Sequence, residues 1–257
     1  MMRGFTSAGA RTGFAGEGLL KGLFFDAGVN TYKQPKYIFL THCHSDHCAA
    51  LLDVTSHLDA YCELYLPLES LDAMNAYVAS AAKLTGSVSD LVVRPVLGSG
   101  QMTSLNESLA ITAHTLQHDV PCVSYTVHKR CKVLKTEYRG LEPAEIKKVI
   151  KQGGEITYTV FEPVITYFGD TLVSALPEKF EAPVVFLECT FMTEEELGSS
   201  KHCCWPQLEP VVRSNPETHF VLIHFSRRYN ETKLLETFNR HPLKNVTLWL
   251  QSGPNNL

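Results

Sequence analysis

The sequence predicts an α/β protein in which layered β-sheets are covered by helices. Three observations carry that prediction. Short apolar runs end at turn residues in the manner of buried strands, at 36–40, 109–114, 123–127, 164–168, 184–187, 220–223 and 246–250. Helical patterns occupy 71–85, 142–151 and 233–238. Strands dominate the first part of the chain and alternate with helices in the second, the order expected of mixed sheets with a helical cover.

Each element has a local reason. Glycines break the N-terminal strands up to Gly28, and the 36–40 strand stops at Thr41, after which the pattern turns helical from Ala49. The 71–85 segment is rich in alanine and is stopped by Gly86. Pro143 sits near the start of the 142–151 helix, and Gly153-Gly154 ends it. No Pro/Gly/Ser-rich linker or internal repeat interrupts the 257 residues, so a single domain over 1–257 is expected.

Composition excludes several classes. With 44% hydrophobic and 19% charged residues the chain is outside the disordered range. No apolar run reaches the 18 or so residues a spanning helix needs, so no membrane partner is expected. Arg3 and Arg11 precede the first acid, Glu17, as in a transit peptide, but Phe24-Phe25-Asp26 soon follows and reads as folded structure. Eight cysteines without a secretory signal point to a reducing, intracellular setting, the cytoplasm first with the nucleus or an organelle as alternatives. Cys43 and Cys48 read as small buried residues of a tight loop. Net charge is −4, yet 128–151 carries eight Lys/Arg against three Glu, a local +5 that leaves −9 for the remainder. Such a basic insertion either attracts a polyanion or is a solvated helix face.

The chemistry concentrates in Thr41-His42-Cys43-His44-Ser45-Asp46-His47. Four ligand-type side chains in six residues, at the end of a buried strand, exceed what core packing can satisfy, and a divalent cation would satisfy them. Alternation in an extended segment lets His42 and His44 grip one ion, while Asp46 and His47, where the chain turns helical, aim at a second position. Completing two shells needs distant ligands. His118, Asp170 and His224 are the candidates, each at a strand end or tight turn.

Thr41 to His47 matches the T-H-x-H-x-D-H signature of the metallo-β-lactamase superfamily. Later segments resemble one branch, the RNase Z family of transfer-RNA 3′-end endonucleases. These are His118-Asp119-Val120-Pro121 with Tyr125, Phe168-Gly169-Asp170-Thr171, Glu188-Cys189-Thr190-Phe191 with Lys201-His202, and His224-Phe225-Ser226-Arg227-Arg228-Tyr229. The resemblance implies an αββα sandwich of two mixed sheets between helices. It implies two divalent metal ions, zinc first with manganese or iron as alternatives. His42, His44 and His118 would hold one ion, Asp46, His47 and His224 the other, and Asp170 would bridge them. Asp26 would brace the ligand loop through hydrogen bonds, Asp46 would orient the attacking water, and Glu188 with His202 would protonate the leaving oxygen. A carboxylate bonded to a histidine suits that general-acid role. The implied substrate is a phosphodiester at a tRNA 3′ trailer, and the implied assembly a homodimer.

Three features depart from the family. Ser45 replaces a usual glycine, Ala27-Gly28-Val29 stands where Cys-Gly-Glu-Gly is common, and the stretch between His118 and Asp170 is too short for the full substrate-gripping arm. The alternatives are an ester or thioester hydrolase of glyoxalase II type, a diesterase acting on smaller phosphodiesters, a non-catalytic binding relative, and an iron oxidoreductase on the same scaffold.

Overall fold

The computed structural model describes residues 2–6, 11–31, 34–55, 58, 61–86, 91–240 and 242–256, with backbone only at 3–6, 255 and 256. The Arg3 side chain, part of the transit-peptide pattern, lies outside that description. Two sheets stack face to face. The first runs in chain order through β1 (Met2–Thr6), β2 (Thr12–Gly16), β3 (Leu23–Phe25), β4 (Tyr37–Phe39), β5 (Cys62–Pro67) and β6 (Leu91–Val96). The second contains β7 (Thr103–Ser104), β8 (Leu109–Thr115), β9 (Val123–Leu134), β10 (Thr157–Tyr167), β11 (Val184–Glu188), β12 (His219–Ile223), β13 (Val246–Leu250) and β14 (Gly253–Asn256), again as successive neighbours.

Both sheets are mixed. β3 to β6 are parallel, as are β10 to β13, and the remaining pairings are antiparallel. Parallel neighbours need crossovers, and helices supply them. α1 (Ser45–Cys48) and α2 (Leu51–Thr55) follow β4, α3 (Leu71–Thr85) follows β5, and α4 (Pro143–Lys151) lies between β9 and β10. α5 (Glu194–Leu197) and α6 (Trp205–Arg213) follow β11, and α7 (Glu231–Asn239) follows β12. This is the αββα sandwich.

An aromatic layer fills the space between the sheets. Phe14 meets Trp249 at 5.1 Å between centroids, Phe25 meets Tyr167 at 5.1 Å, and Phe39 meets Tyr125 at 5.3 Å. Such offset or edge contacts add about 0.5–1.5 kcal/mol each beyond burial. Outside the first sheet, Ile38, Leu64 and Leu66 pack with Leu51, Val54 and Met74 of α2 and α3. Outside the second, Val185, Leu187, Phe220 and Leu222 pack with Leu208 and Val212 of α6 and Leu234 and Phe238 of α7.

Two elements differ from expectation. The helical segment after β4 starts at Ser45, not Ala49, so Asp46 and His47 lie within α1. The strand expected at 123–127 runs on into the basic segment: β9 continues to Leu134, paired with Thr157 across the hairpin, and its outer half is largely exposed. Lys129, Arg130 and Lys132 therefore lie on a two-stranded ribbon. α4 caps that ribbon, with Glu142 and Glu145 closing a capping box at its start.

Candidate metal centre

Topology brings the site together. β3 and β4 are parallel neighbours, as are β10, β11 and β12. Their C-terminal ends deliver Asp26, the 41–47 segment, Asp170, Glu188 and His224 to one edge of the sandwich. The β8–β9 turn adds His118, and the loop before α6 adds His202.

All seven side chains predicted as ligands meet there. Asp170 is central: its Oδ2 lies 3.3 Å from His224 Nε2, 3.4 Å from His47 Nε2, 3.7 Å from His42 Nε2 and 4.0 Å from His118 Nε2. His44 Nδ1 is 3.1 Å from His118 Nε2, and Asp46 Oδ2 is 3.4 Å from His224 Nε2. Four groupings follow: His42, His44 and His118; Asp46, His47 and His224; His42, His47 and Asp170; and Asp170, Glu188, His202 and His224. Within each, ligand atoms lie within 4.8 Å of one another. His202 and Glu188 form a pair at 3.1 Å, with His202 Nδ1 also 3.7 Å from Asp170.

Hydrogen bonds behind these groups fix their orientation. Asp26 accepts from Thr41 N at 2.8 Å, from Thr41 Oγ1 at 2.9 Å and from the Tyr167 hydroxyl at 3.0 Å. It also holds His47 Nδ1 at 2.8 Å, which turns His47 Nε2 toward Asp170. His118 Nδ1 donates to the Lys201 carbonyl at 2.9 Å, leaving Nε2 as an acceptor facing the site. Thr190 Oγ1 bridges Glu188 to His224 Nδ1, the latter at 2.8 Å. Among the described residues, Asp26 (φ 56°) and His224 (φ 64°) are the non-glycine positions with left-handed backbone. Holding a residue there costs about 1–3 kcal/mol and is found where surrounding structure enforces it. Gly169 permits the close approach of this edge: a Cβ there would sit 2.6 Å from Cys122 Sγ and 2.7 Å from Thr41 Cβ.

Electrostatics match the geometry. Burial opposes charge on Asp170, yet His224, His47 and His42 around it hold its carboxyl well below the usual range. Burial and the neighbouring His47 push His42 well down, toward the neutral imidazole a metal requires. Burial disfavours a charged His47, but Asp170 and Asp26 overcome it and raise its pKa, so positive charge is drawn to this point as proton or cation. His202 is lifted to about 9, against burial, by the charge and hydrogen bond of Glu188 and then by Asp170.

The donors fit divalent cations. His42 Nε2 and His47 Nε2 are buried without a hydrogen-bond partner and face the same space as Asp170. Buried polar atoms of that kind need partners, and an imidazole and carboxylate set around one point is ligand chemistry for a zinc-class ion. Cys43 and Cys48 are half-buried, with Cys48 inside α1. Burial raises both thiols, Cys48 to about 11, and neither joins a candidate ligand grouping.

Comparison with known proteins agrees with this geometry. Residues 31–131 match the metallo-β-lactamase superfamily. A chloroplastic tRNase Z of Arabidopsis thaliana is 25% identical over 216 residues, covering 79% of this chain and 61% of that protein. Over residues 31–131 the chain carries the metallo-β-lactamase superfamily match, and along most of its length it is similar to tRNase Z proteins. It thus spans less than two thirds of the plant relative. The short form of human tRNase Z superposes with a TM-score of 0.59 at 16% identity, over 89% of this chain and 94% of that one. A diphosphatase of the PhnP family gives 0.60 at 13%, over 96% and 83%. At such identities the superpositions speak to fold alone.

Some groups at this site carried no readable signal in the sequence. Thr190, Tyr167, Thr12 and the Lys201 carbonyl bind the histidines and Asp26 from behind. Thr190 stands in the quoted Glu-Cys-Thr-Phe segment and was identifiable by position only.

Proposed function

We propose that this protein is a binuclear metal-dependent phosphodiesterase, an endoribonuclease of RNase Z type acting at the 3′ trailer of a tRNA precursor. The observation that carries it is the convergence of two ligand triads on Asp170, with the Glu188–His202 pair at the same edge. His42, His44 and His118 would hold one cation, Asp46, His47 and His224 the other, with Asp170 between them. Bound there, two zinc-class ions would neutralise phosphoryl charge and lower the pKa of water from about 16 to about 7.

The chain's own groups then divide the work. Asp46, whose carboxyl is kept below its usual range despite burial by the hydrogen bond from His224 and by His47, accepts a hydrogen bond from the attacking water and aims it. Glu188 binds His202 through Nδ1, leaving the other ring nitrogen to donate a proton to the departing oxygen. Thr171 N and Thr190 Oγ1 donate to Glu188, so the carboxylate is fixed where the imidazole needs it. The exposed Lys129, Arg130 and Lys132 of the ribbon offer phosphate contacts at a distance from the chemistry.

A second reading, hydrolysis of smaller phosphodiesters, draws on the short β9–β10 arm. The plant sequence relative named tRNase Z favours the first. Zinc is the proposed metal because the donors are imidazole and carboxylate. The cysteines, eight without a disulfide, support a cytoplasmic setting, and no described helix is long and apolar enough to cross a membrane. Self-association as a homodimer belongs to the same reading. The test is incubation with a 3′-extended tRNA precursor and, separately, with bis-p-nitrophenyl phosphate. Cleavage after the discriminator base, abolished by chelator and restored by Zn²⁺ or Mn²⁺, is expected. Diester hydrolysis without precursor cleavage selects the second reading, and thioester hydrolysis alone overturns both.

A further inference from the structure

The outer face of the second sheet is not uniform. Over β11 to β13 it is apolar and lies under α6 and α7. Over β8 to β10 the outward positions are Thr112, Ser124, Thr126, His128 and Thr166, and the segment 173–181 covers them instead of a long helix. A polar outer face is ordinary for an antiparallel sheet that meets water. This one does not meet it: Ser124 is 2% exposed, His128 6%, and Thr112 and Thr166 8% each.

Between face and cover lies a cavity of about 410 Å³, within the roughly 300–1,000 Å³ range of small-molecule sites. Its floor is only partly self-satisfied. Thr126 and Thr166 hydroxyls bond each other at 2.9 Å, and His128 Nε2 bonds Thr112 Oγ1 at 3.0 Å. His128 Nδ1 is buried without a partner and belongs to a residue of the cavity wall. Leu176, Phe168 and Phe180 complete the lining, the two rings tilted edge to face at 5.9 Å.

We propose that this cavity is a second ligand site, distinct from the metal centre, for an uncharged ring compound bearing several hydroxyls and a flat apolar face, the chemistry of a nucleoside. The hydroxyls of the floor, each with lone pairs beyond its internal bond, provide both donors and acceptors for a sugar or a base edge. The phenyl rings provide the apolar wall that a base stacks on. Charge argues against a phosphorylated ligand: Glu181 lines the cavity, and Lys179 there already donates to the Ser214 carbonyl at 2.8 Å. The cavity also adjoins the metal centre through the chain. Leu116 and Phe168 in its wall each stand two residues before a predicted ligand, His118 and Asp170.

The probes are adenosine, cytidine, ribose and adenosine monophosphate, read by ligand-observed saturation-transfer NMR on the full chain. Adenosine and cytidine should bind at millimolar concentration, with ribose weaker and the monophosphate no tighter than adenosine. The diagnostic variant is the double substitution Thr126→Val and Thr166→Val. It removes both partners of one hydrogen bond and is close to neutral for folding, which a thermal melt checks. Nucleoside binding should weaken about tenfold or more in it and persist in His202→Ala and in chelator-treated protein. A second variant, Phe180→Ala, strips the wall and should also weaken binding. The proposal is overturned if neither nucleoside binds wild type, if the double variant binds unchanged, or if binding vanishes with His202→Ala, which would place the ligand in the metal centre.

Discussion

Asp26 binds no metal in this account, yet changing it should cost metal affinity. Asp26→Ala is the wrong tool. It removes an acceptor from Thr41 N, Thr41 Oγ1 and the Tyr167 hydroxyl, roughly 1–3 kcal/mol each if left unsatisfied. It also puts alanine at φ 56°, and the total is comparable with a whole domain's stability of about 5–15 kcal/mol. Asp26→Asn is close to isosteric and tolerates the left-handed region. Its amide oxygen must face Thr41 N, a fixed donor. The NH₂ then faces Tyr167, which can rotate to accept, and His47 Nδ1, 2.8 Å from the native carboxylate oxygen. Two donors cannot face each other, so the imidazole proton moves to Nε2, the nitrogen 3.4 Å from Asp170. His47 then presents a proton where a lone pair is needed. Affinity for one of the two cations should fall about 10–100-fold, or roughly 1.4–2.8 kcal/mol. The assay is competition with a chromophoric zinc chelator, with a melt to verify folding. A folded Asp26→Asn protein that binds both ions as tightly as wild type would refute the reasoning.

Two further outcomes are expected. Gly169→Ala should destabilise the protein by about 1–3 kcal/mol and lower zinc occupancy, because its Cβ would collide with Cys122 and Thr41 and displace Asp170; chemical denaturation and metal analysis read both effects. Charge reversal at Lys129, Arg130 and Lys132 should weaken precursor-RNA binding and reduce its salt slope by about one per lost phosphate contact, leaving bis-p-nitrophenyl phosphate turnover unchanged; an unchanged slope removes the ribbon from the interface.

How much the sequence disclosed follows from what each residue contributes to a pattern. His42 to His47 are dense and chemically improbable as packing, and His118, Asp170 and His224 stand at strand ends, so all seven were readable before their convergence was seen. Apolar strands such as 246–250 were visible for the same reason: burial selects their composition. The outer half of β9 was not, because 128–134 pairs with β10 in a largely solvated hairpin, where Lys129, Arg130 and Lys132 break up the apolar signal. α6 was obscured by Pro206 at its start and Pro210 within it, residues that ordinarily end a helical reading. The tautomer-fixing layer was hardest. Tyr167, Thr190 and the Lys201 carbonyl act through single hydrogen bonds that depend on three-dimensional register, and a threonine or a backbone carbonyl announces nothing in a string of letters.

The most direct measurement is crystallographic. Anomalous diffraction at the zinc edge from crystals of the zinc-loaded protein should show two peaks flanking Asp170, one within reach of His42, His44 and His118, the other within reach of Asp46, His47 and His224. A single peak elsewhere, or none between these side chains in protein that retains diesterase activity, would contradict the account.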